Sequence, residues 1–392
     1  MSSGTISLRA LTQDFYDVRE LVSDEDRALL DRVRAFMEER VAPVINRYWT
    51  RAEFPFELVE PWAELGVAGL PYEGRSFVLD GLVAMETARV DSSWATFHGV
   101  HSGLAMGSVY LAGSEEQKQR WLPPMARFET IGAFGLTEPE VGSGVARGLT
   151  TTARRDGDEW VLDGRKKWIG NAPFADVTVI WARDVDDGEV KGFLVERGTA
   201  GVTVETLADK IALRVVQNGL ITLERVRVPE SHRLERATSF RATADVLCTT
   251  RAGVAWQATG CALGAYEHAL AYAGRRQQFG RPIASFQLIQ DLLVRMLANV
   301  TASQCLLVRL AQLQDAGAMR DEHASLAKAF CTVRMRETVG WARELLGGNG
   351  ILLEENVGRF VADAEAIYSY EGTREMNTLI VGRAITGHSA FV

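Results

Sequence analysis

The stretch Phe134-Gly135-Leu136-Thr137-Glu138-Pro139 divides the chain into two kinds of pattern. Before it, apolar residues recur at helical spacing. Leu29, Val33, Phe36, Met37 and Val41 follow the capping-type start Ser23-Asp24-Glu25-Asp26, and Pro43 then disturbs that helix. Further helices are predicted over 56–65, 78–89 and much of 96–111. Ser114-Glu115-Glu116-Gln117 opens another, predicted to end before Pro123-Pro124. After the dividing stretch the period changes to two. Val177, Val179 and Trp181 alternate with other residues, and 192–195, 201–204 and 220–223 read as strands. Asp156-Gly157 and Asp163-Gly164 read as hairpin turns. From about residue 240 the helical period returns. Ala258, Ala262, Ala265 and Ala269 form a small-residue stripe suited to close helix packing. Leu306, Leu310 and Leu313 continue the pattern, as do Leu326, Phe330 and Val333. The expected fold class is α+β and multidomain. An N-terminal α-helical domain covers 1–130, a middle β domain 131–235, and a C-terminal helical bundle 236–392.

Length and charge narrow the function classes. A chain of 392 residues exceeds one simple core, and 47% apolar with 24% charged residues is globular composition. A formal net charge of −8 argues against nucleic-acid or membrane-surface partners, which call for a basic stripe. Residues 1–14 lack the basic lead and apolar core of a secretory signal. No run approaches the roughly 18 apolar residues of a spanning helix. The closing Ala390-Phe391-Val392 is not a peroxisomal address. Cys248, Cys261, Cys305 and Cys331 are widely spaced, with no C-x-x-C pair. They read as small core residues in a reducing compartment, so a cytoplasmic location is expected. No metal site is expected.

Five segments carry chemistry. The dividing stretch, with Gly142-Ser143, stands at a domain junction, a favoured place for ligands. Its Gly, Thr and Ser offer backbone N–H groups and hydroxyls to a polar planar ring or a phosphate chain. It reads equally as a linker with ordinary turn chemistry. In Lys166-Lys167-Trp168-Ile169-Gly170-Asn171, Trp168 can cover a heteroaromatic cofactor or cap the β core. Arg275-Arg276-Gln277-Gln278-Phe279-Gly280-Arg281-Pro282 suits a diphosphate with a stacked adenine, or is a solvated helix end. Leu345-Leu346-Gly347-Gly348-Asn349-Gly350 permits close approach to a phosphate, or is a plain helix cap. In Ile367-Tyr368-Ser369-Tyr370-Glu371-Gly372-Thr373, an aromatic and a glycine flank one carboxylate. Tyr370 can exclude water and raise the Glu371 pKa, while Gly372 lets a substrate reach the backbone. The alternative is a helix-terminus Glu in a turn.

Together these segments resemble the acyl-CoA dehydrogenase family. The resemblance runs from about residue 20 to the C-terminus. It rests on FGLTEP, WIGNAPFAD, RRQQFGRPI, ELLGGNG and YEGT standing in family order. The nearest likeness is to glutaryl-CoA dehydrogenases and plant short-chain acyl-CoA oxidases, through ARVDSSWATFHGVHSGL, WIGNAPFADV, LRVVQNG and YSYEGTREMNTLIVGRAITG. The resemblance implies the three-domain acyl-CoA dehydrogenase fold, its middle domain a barrel-like or orthogonal β domain and its C-terminal domain a four-helix bundle, with FAD bound between domains and across a subunit contact. It also implies a homotetramer and an electron-transferring flavoprotein as acceptor. Glu371 matches the base that removes the α-proton of an acyl-CoA thioester while the β-hydrogen leaves as hydride to the flavin. The family's thioester oxygen accepts hydrogen bonds from the Glu backbone N–H and a flavin hydroxyl.

Other roles carry over position by position. Phe134, Leu136, Thr137, Trp168 and Ile169 match flavin contacts. Arg276, Phe279, Gln287, Gly347 and Gly348 match FAD contacts from a neighbouring subunit, and Thr373 and Glu375 match positions touching FAD. Ser143 and Arg251 match CoA-side contacts, and Trp94, Ala95, Tyr370 and Gly372 fall at the acyl site. Thr250 occupies the place where some relatives carry an alternative base.

Three departures modify this reading. Ala95 stands where glutaryl-CoA dehydrogenases carry the arginine that pairs with the distal carboxylate, so a glutaryl tail is disfavoured. Trp94, Phe97, Val100 and Leu104 are instead expected to line an apolar acyl pocket. Gly170 stands where many relatives have a hydroxyl near the flavin, which leaves an oxygen-using oxidase as an alternative. Gly144 replaces the usual Asp, and a more mobile loop is expected over 142–149. The shortened segment 71–76 is expected near the mouth of the acyl pocket.

Overall fold

The structure, a computed structural model, describes residues 14–390. The expectations drawn from the first residues and from the closing Phe391-Val392 lie outside the described residues. Ser23 opens the helical part as its sequence predicts. Its Oγ accepts from the Asp26 N–H at 3.1 Å and caps α1 (Asp24–Phe36). A π-helical turn over Met37–Val41 leads into α2 (Ala42–Arg51). Pro43 sits in the first turn after this register break, so the chain stays helical past it. α3 (Phe77–Val90) is buried along most of its length. α4 (Ser92–His98), a π-helical stretch Gly99–Met106 and α5 (Gly107–Ala112) follow without interruption. A reciprocal Ser114–Gln117 capping box opens α6 (Glu115–Ala126). Contrary to expectation, α6 runs through Pro123 and Pro124. The prolines fall in its last turns, where few intrahelical bonds are forfeited, and buried Trp121 and Met125 anchor that end.

The middle of the chain forms one curled seven-stranded sheet of order β1-β4-β2-β3-β7-β6, with β5 added on β4. The strands are β1 (Gly132–Gly135), β2 (Thr152–Asp156), β3 (Glu159–Gly170), β4 (Val177–Asp184), β5 (Val190–Glu196), β6 (Val202–Thr206) and β7 (Asn218–Pro229). β1 pairs parallel to one end of β4 and β2 parallel to the other, while the remaining ladders are antiparallel. Asp156-Gly157 does begin the β2–β3 hairpin turn. Asp163-Gly164 does not turn the chain. It forms an irregularity inside β3, where the register against β7 shifts between Leu162 and Gly164. Gly164 has φ 148°, and a Cβ there would stand 2.7 Å from the Thr151 backbone, so the dipeptide makes a close-approach bulge.

The C-terminal part is helical: α7 (Phe240–Arg275), α8 (Gln287–Asp315), α9 (Asp321–Leu346), α10 (Val357–Ser369) and α11 (Arg374–Thr386). The first four pack as a bundle, with α11 along α9. The Ala258–Ala262–Ala265–Ala269 stripe is buried, as its spacing predicts. Beside it, Gly264 brings α7 against α3: a Cβ would lie 2.1 Å from the Arg89 carbonyl oxygen. The N-terminal helices and the bundle therefore share one apolar core, while the sheet has a second.

Three expectations need correction here. Leu326 and Phe330 face outward, 52% and 37% exposed, because α9 packs through the buried row containing Ala327, Cys331 and Met335. Cys261 and Cys331 are core thiols, but Cys248 is half-buried and Cys305 exposed. By length and composition α8 is apolar enough to cross a membrane, with hydropathy 1.3. Here it packs between α7 and α9.

Candidate active site

Glu371 stands in the four-residue link between α10 and α11. Thr373 ends the link by capping α11, its Oγ1 accepting from the Met376 N–H at 3.3 Å. Within it, Glu371 has φ 51° and Gly372 φ 87°. Two successive left-handed residues reverse the chain tightly. Glycine adopts this freely, but for a residue with a Cβ it costs about 1–2 kcal/mol. Side chains from elsewhere hold the strained turn. Lys328, near the start of α9, donates to the Tyr370 carbonyl at 2.6 Å and also to the Gly372 carbonyl. Asn377 Nδ2 donates to the Gly372 and Thr373 carbonyls, each at 2.9 Å. The Tyr370 hydroxyl donates to Gln257 Oε1 at 2.6 Å. Arg251 Nε lies 3.9 Å from where a Gly372 Cβ would stand, and its guanidinium pairs with Asp321.

Burial raises the Glu371 pKa, while contact with Thr250 and the Lys328 and Arg251 cations pull it back. Burial likewise lowers Lys328, to about 8, against the pull of Glu371. Glu371 Oε2 is buried without a hydrogen-bond partner. The residue lines a cleft of ≈ 690 Å³, measured with its open mouth. α3 supplies Asp80 to the cleft, the π-helical stretch Ser102 and Gly103, and α7 Thr250 and Gln257. Pro71 and Tyr72 also line it. A carboxylate with a free oxygen over an open cleft is equipped to accept a proton from a bound molecule.

Trp94 and Ala95 do not line this cleft. Trp94 is fully buried and packs against Phe36, Phe54, Trp62 and Phe97, with ring centroids 5.1–6.5 Å away. The Ala95 carbonyl accepts from Gln257 Nε2 at 3.2 Å, so it supports the wall from behind. Phe97, Val100 and Leu104 are core residues too. α4 turns its aromatic face inward to bury it, and the cleft is left with a more polar lining than the sequence suggests.

A second edge lies across the π-helical stretch. Thr137, just after β1, and Lys167, in β3, clasp each other. The Lys167 N–H donates to the Thr137 carbonyl at 2.9 Å, and Thr137 Oγ1 donates to the Lys167 carbonyl at 2.6 Å. Behind them Lys166 Nζ donates to Leu136 O at 3.0 Å and Glu138 Oε1 at 2.9 Å, a fully buried ion pair. The next residue, Trp168, has φ 67° and swings outward, 58% exposed. It does not cap the β core. Ile169 does enter that core, and Phe134 packs on Trp181. Leu136 is also buried. Gly170 abuts Val100, whose Cγ2 would stand 3.0 Å from an added Cβ. Val100 belongs to the same π-helical stretch that lines the Glu371 cleft. Ser143 is exposed, in the loop before a helical turn over Val145–Gly148.

The remaining sequence-picked residues gather elsewhere. Phe279 forms the tip of a small hairpin in which Gln277 pairs with Pro282, and it is 92% exposed. Arg276, Gln287, Gly347 and Gly348 are exposed around it, the glycine turn tied to α7 by Asn349 Nδ2 donating to the Tyr272 hydroxyl at 2.9 Å. Arg276 follows α7, whereas Arg251 beside Gly372 lies well inside it. At 1.5 Å rise per residue the two are about 37 Å apart. One protomer therefore does not bring them to the same ligand. Glu375 is exposed and pairs with Arg374. Lys328, Asn377, Gln257 and Asp80 were missed by sequence reasoning. Lys328 and Asp80 each interrupt an apolar helical run, which is a signal for a buried charge.

Family models match three consecutive parts of the chain: acyl-CoA dehydrogenase N-terminal domain over 23–129, middle domain over 133–226 and C-terminal domain over 240–386. The chain is 32% identical over 375 residues to the probable acyl-CoA dehydrogenase YngJ of Bacillus subtilis, covering 93% of this chain and 98% of that protein. It resembles the crystal structure of glutaryl-CoA dehydrogenase from Mycobacterium smegmatis with TM-score 0.93 and 39% identity, covering 97% and 99% of the two chains. A glutaryl-CoA dehydrogenase structure from the same organism in complex with FADH2 matches with TM-score 0.93 and 36% identity, covering 97% and 99%. The chain belongs to the acyl-CoA dehydrogenase family. It has that family's fold, and it is an oxidoreductase whose family works with FAD on acyl-CoA. The residues fit such a cofactor: the exposed Trp168 indole offers a flat face, and two residues on, Gly170 abuts Val100 of the π-helical stretch that also lines the Glu371 cleft.

Proposed function

We propose that this protein dehydrogenates a short- or medium-chain acyl-CoA, one without a carboxylate tail, with Glu371 as the base. The observation that carries this reading is the buried, unpartnered Glu371 Oε2 in an open cleft. FAD, when bound, supplies the acceptor for the hydride. Trp168 would cover the ring, and Thr137 would lie at the same edge. Glu371 takes the α-proton, and its raised pKa brings it nearer to that weak carbon acid. Its own backbone N–H, fixed by the left-handed turn, is a donor for the thioester oxygen as enolate charge develops. Thr250, at the alternative base position, has no carboxylate to compete. No Lys or Arg lines the cleft among the described residues, which disfavours a glutaryl tail despite the likeness to glutaryl-CoA dehydrogenases.

The assembly is part of the proposal. The distance between the Arg276–Phe279 cluster and the Glu371 cleft supports FAD shared between subunits of a homotetramer. Exposed Leu288, Val294 and Ile385 offer apolar surface for such contacts. An electron-transferring flavoprotein is the proposed acceptor, and a cytoplasmic location is proposed from the four free thiols.

The test is anaerobic flavin bleaching by a panel of acyl-CoA thioesters. Glu371→Gln is expected to keep FAD and lose bleaching. Full reduction in that variant removes Glu371 as base. Rapid peroxide formation by reduced wild-type protein in air would replace the dehydrogenase with the oxidase.

A further inference from the structure

We propose that Asp80 selects acyl groups whose tail carries a positive charge, an ammonium seated against its carboxylate while the thioester sits at Glu371. The inference rests on the acyl-CoA reading above and deepens it. Asp80 lies in the first turn of α3, within Val78-Leu79-Asp80-Gly81-Leu82, and lines the same cleft as Glu371. An acidic residue in a first helical turn ordinarily serves the helix end. Here other groups already serve it. Ser76 Oγ accepts from the Leu79 N–H at 3.1 Å, and Asp315 Oδ1 accepts from the Phe77 N–H at 2.7 Å.

No described side chain hydrogen-bonds or pairs with the Asp80 carboxylate. Its neighbour Tyr72 donates its hydroxyl to the Gly103 carbonyl at 3.3 Å. His98, also in the cleft wall, is held neutral: burial and nearby His101 push its pKa down to about 3. Asp80 and Glu371 are the two carboxylates of the wall; Lys328 and Arg251 act on Glu371 from behind, and no Lys or Arg lines the cleft beside Asp80 among the described residues. Burial without a partner pushes Asp80 up to about 7. Asp80 is half-buried, and a partly desolvated carboxylate without a partner gains from a cation brought by the ligand. An anionic tail would meet like charge, and an apolar tail would leave Asp80 desolvated and unpaired.

The experiment compares matched thioesters by anaerobic stopped-flow flavin reduction in the holoenzyme. One pair is 4-(trimethylammonio)butanoyl-CoA and its carbon isostere 5,5-dimethylhexanoyl-CoA. The other is 6-aminohexanoyl-CoA and heptanoyl-CoA. Wild type is expected to prefer the cationic member of at least one pair by about tenfold or more in specificity, close to one charge-assisted contact. Asp80→Asn, which keeps the shape, is expected to remove most of that ratio, and Asp80→Leu to invert it. Thermal unfolding verifies that both variants fold. A preference for the neutral member in both pairs, or an unchanged ratio in Asp80→Asn, overturns the inference alone provided butyryl-CoA still bleaches the flavin. Absence of bleaching by every thioester overturns the acyl-CoA reading with it.

Discussion

Replacing Lys328 by Met removes the cation that braces the Glu371 turn from behind while keeping the length of the side chain. Lys328 donates to both carbonyls flanking Glu371, those of Tyr370 and Gly372. The Gly372 carbonyl retains Asn377 as a donor, but the Tyr370 carbonyl loses the donor the structure gives it. An orphaned carbonyl costs about 1–3 kcal/mol. The left-handed conformation of Glu371 stores about 1–2 kcal/mol. Once the brace is gone, these terms favour relaxation of the turn. The working conformation should then lose roughly 1.4–2.7 kcal/mol, a ten- to hundredfold drop in kcat. The variant also loses a charge that lowers the Glu371 pKa, so the acid limb of its kcat/KM profile should move to higher pH. Pre-steady-state flavin reduction across pH reads both effects, with flavin absorbance and thermal unfolding as controls for cofactor content and fold. A kcat within twofold of wild type together with an unmoved acid limb would refute the bracing role.

Other consequences concern the fold and the flavin edge. Gly264→Ala places a methyl 2.1 Å from the Arg89 carbonyl oxygen, backbone that cannot rotate away. Separating α7 from α3 should cost about 1–3 kcal/mol, visible as a lowered Tm. The buried Lys166–Glu138 pair sets an acid dependence. Burial alone would raise Glu138, but Lys166 and hydrogen bonds from Thr150 and Thr151 hold it at about 2. The unfolded chain, titrating near 4.5, binds the proton first, so this stability is present above 4.5 and lost as pH falls toward 2. Denaturant titrations should show this acid dependence shrink in a Glu138→Gln/Lys166→Met double variant. Trp168→Ala should change stability by less than about 0.5 kcal/mol, since the indole is mostly exposed, yet weaken FAD retention severalfold. Undiminished FAD affinity would remove Trp168 from the flavin edge.

The three-part order was legible because period is a local property. Helical spacing, alternation and the Ser23 and Ser114 caps each need only neighbours along the chain. Where the sequence misled, the deciding partner lay far away. Asp163-Gly164 has the composition of a turn, but β7 continues alongside it and Thr151 presses on Gly164, so the strand bulges. Trp94 and Phe97 have the composition of an acyl pocket, but Phe36, Phe54 and Trp62 claim them for the core.

The same division holds at the site. The sequence by itself marked Glu371, Trp168 and the arginine hairpin, because unusual residue types in a fixed order survive without coordinates. Only the tertiary structure showed Lys328 and Asn377 gripping the turn, and left Asp80 with no partner in the cleft. A hydrogen bond or an unpaired charge is defined by what stands opposite in space, and Lys328 reaches Tyr370 across 42 residues of chain. The tertiary structure also set Arg276 far from the Glu371 turn within one protomer, since most of α7 lies between Arg276 and Arg251, which stands beside Gly372.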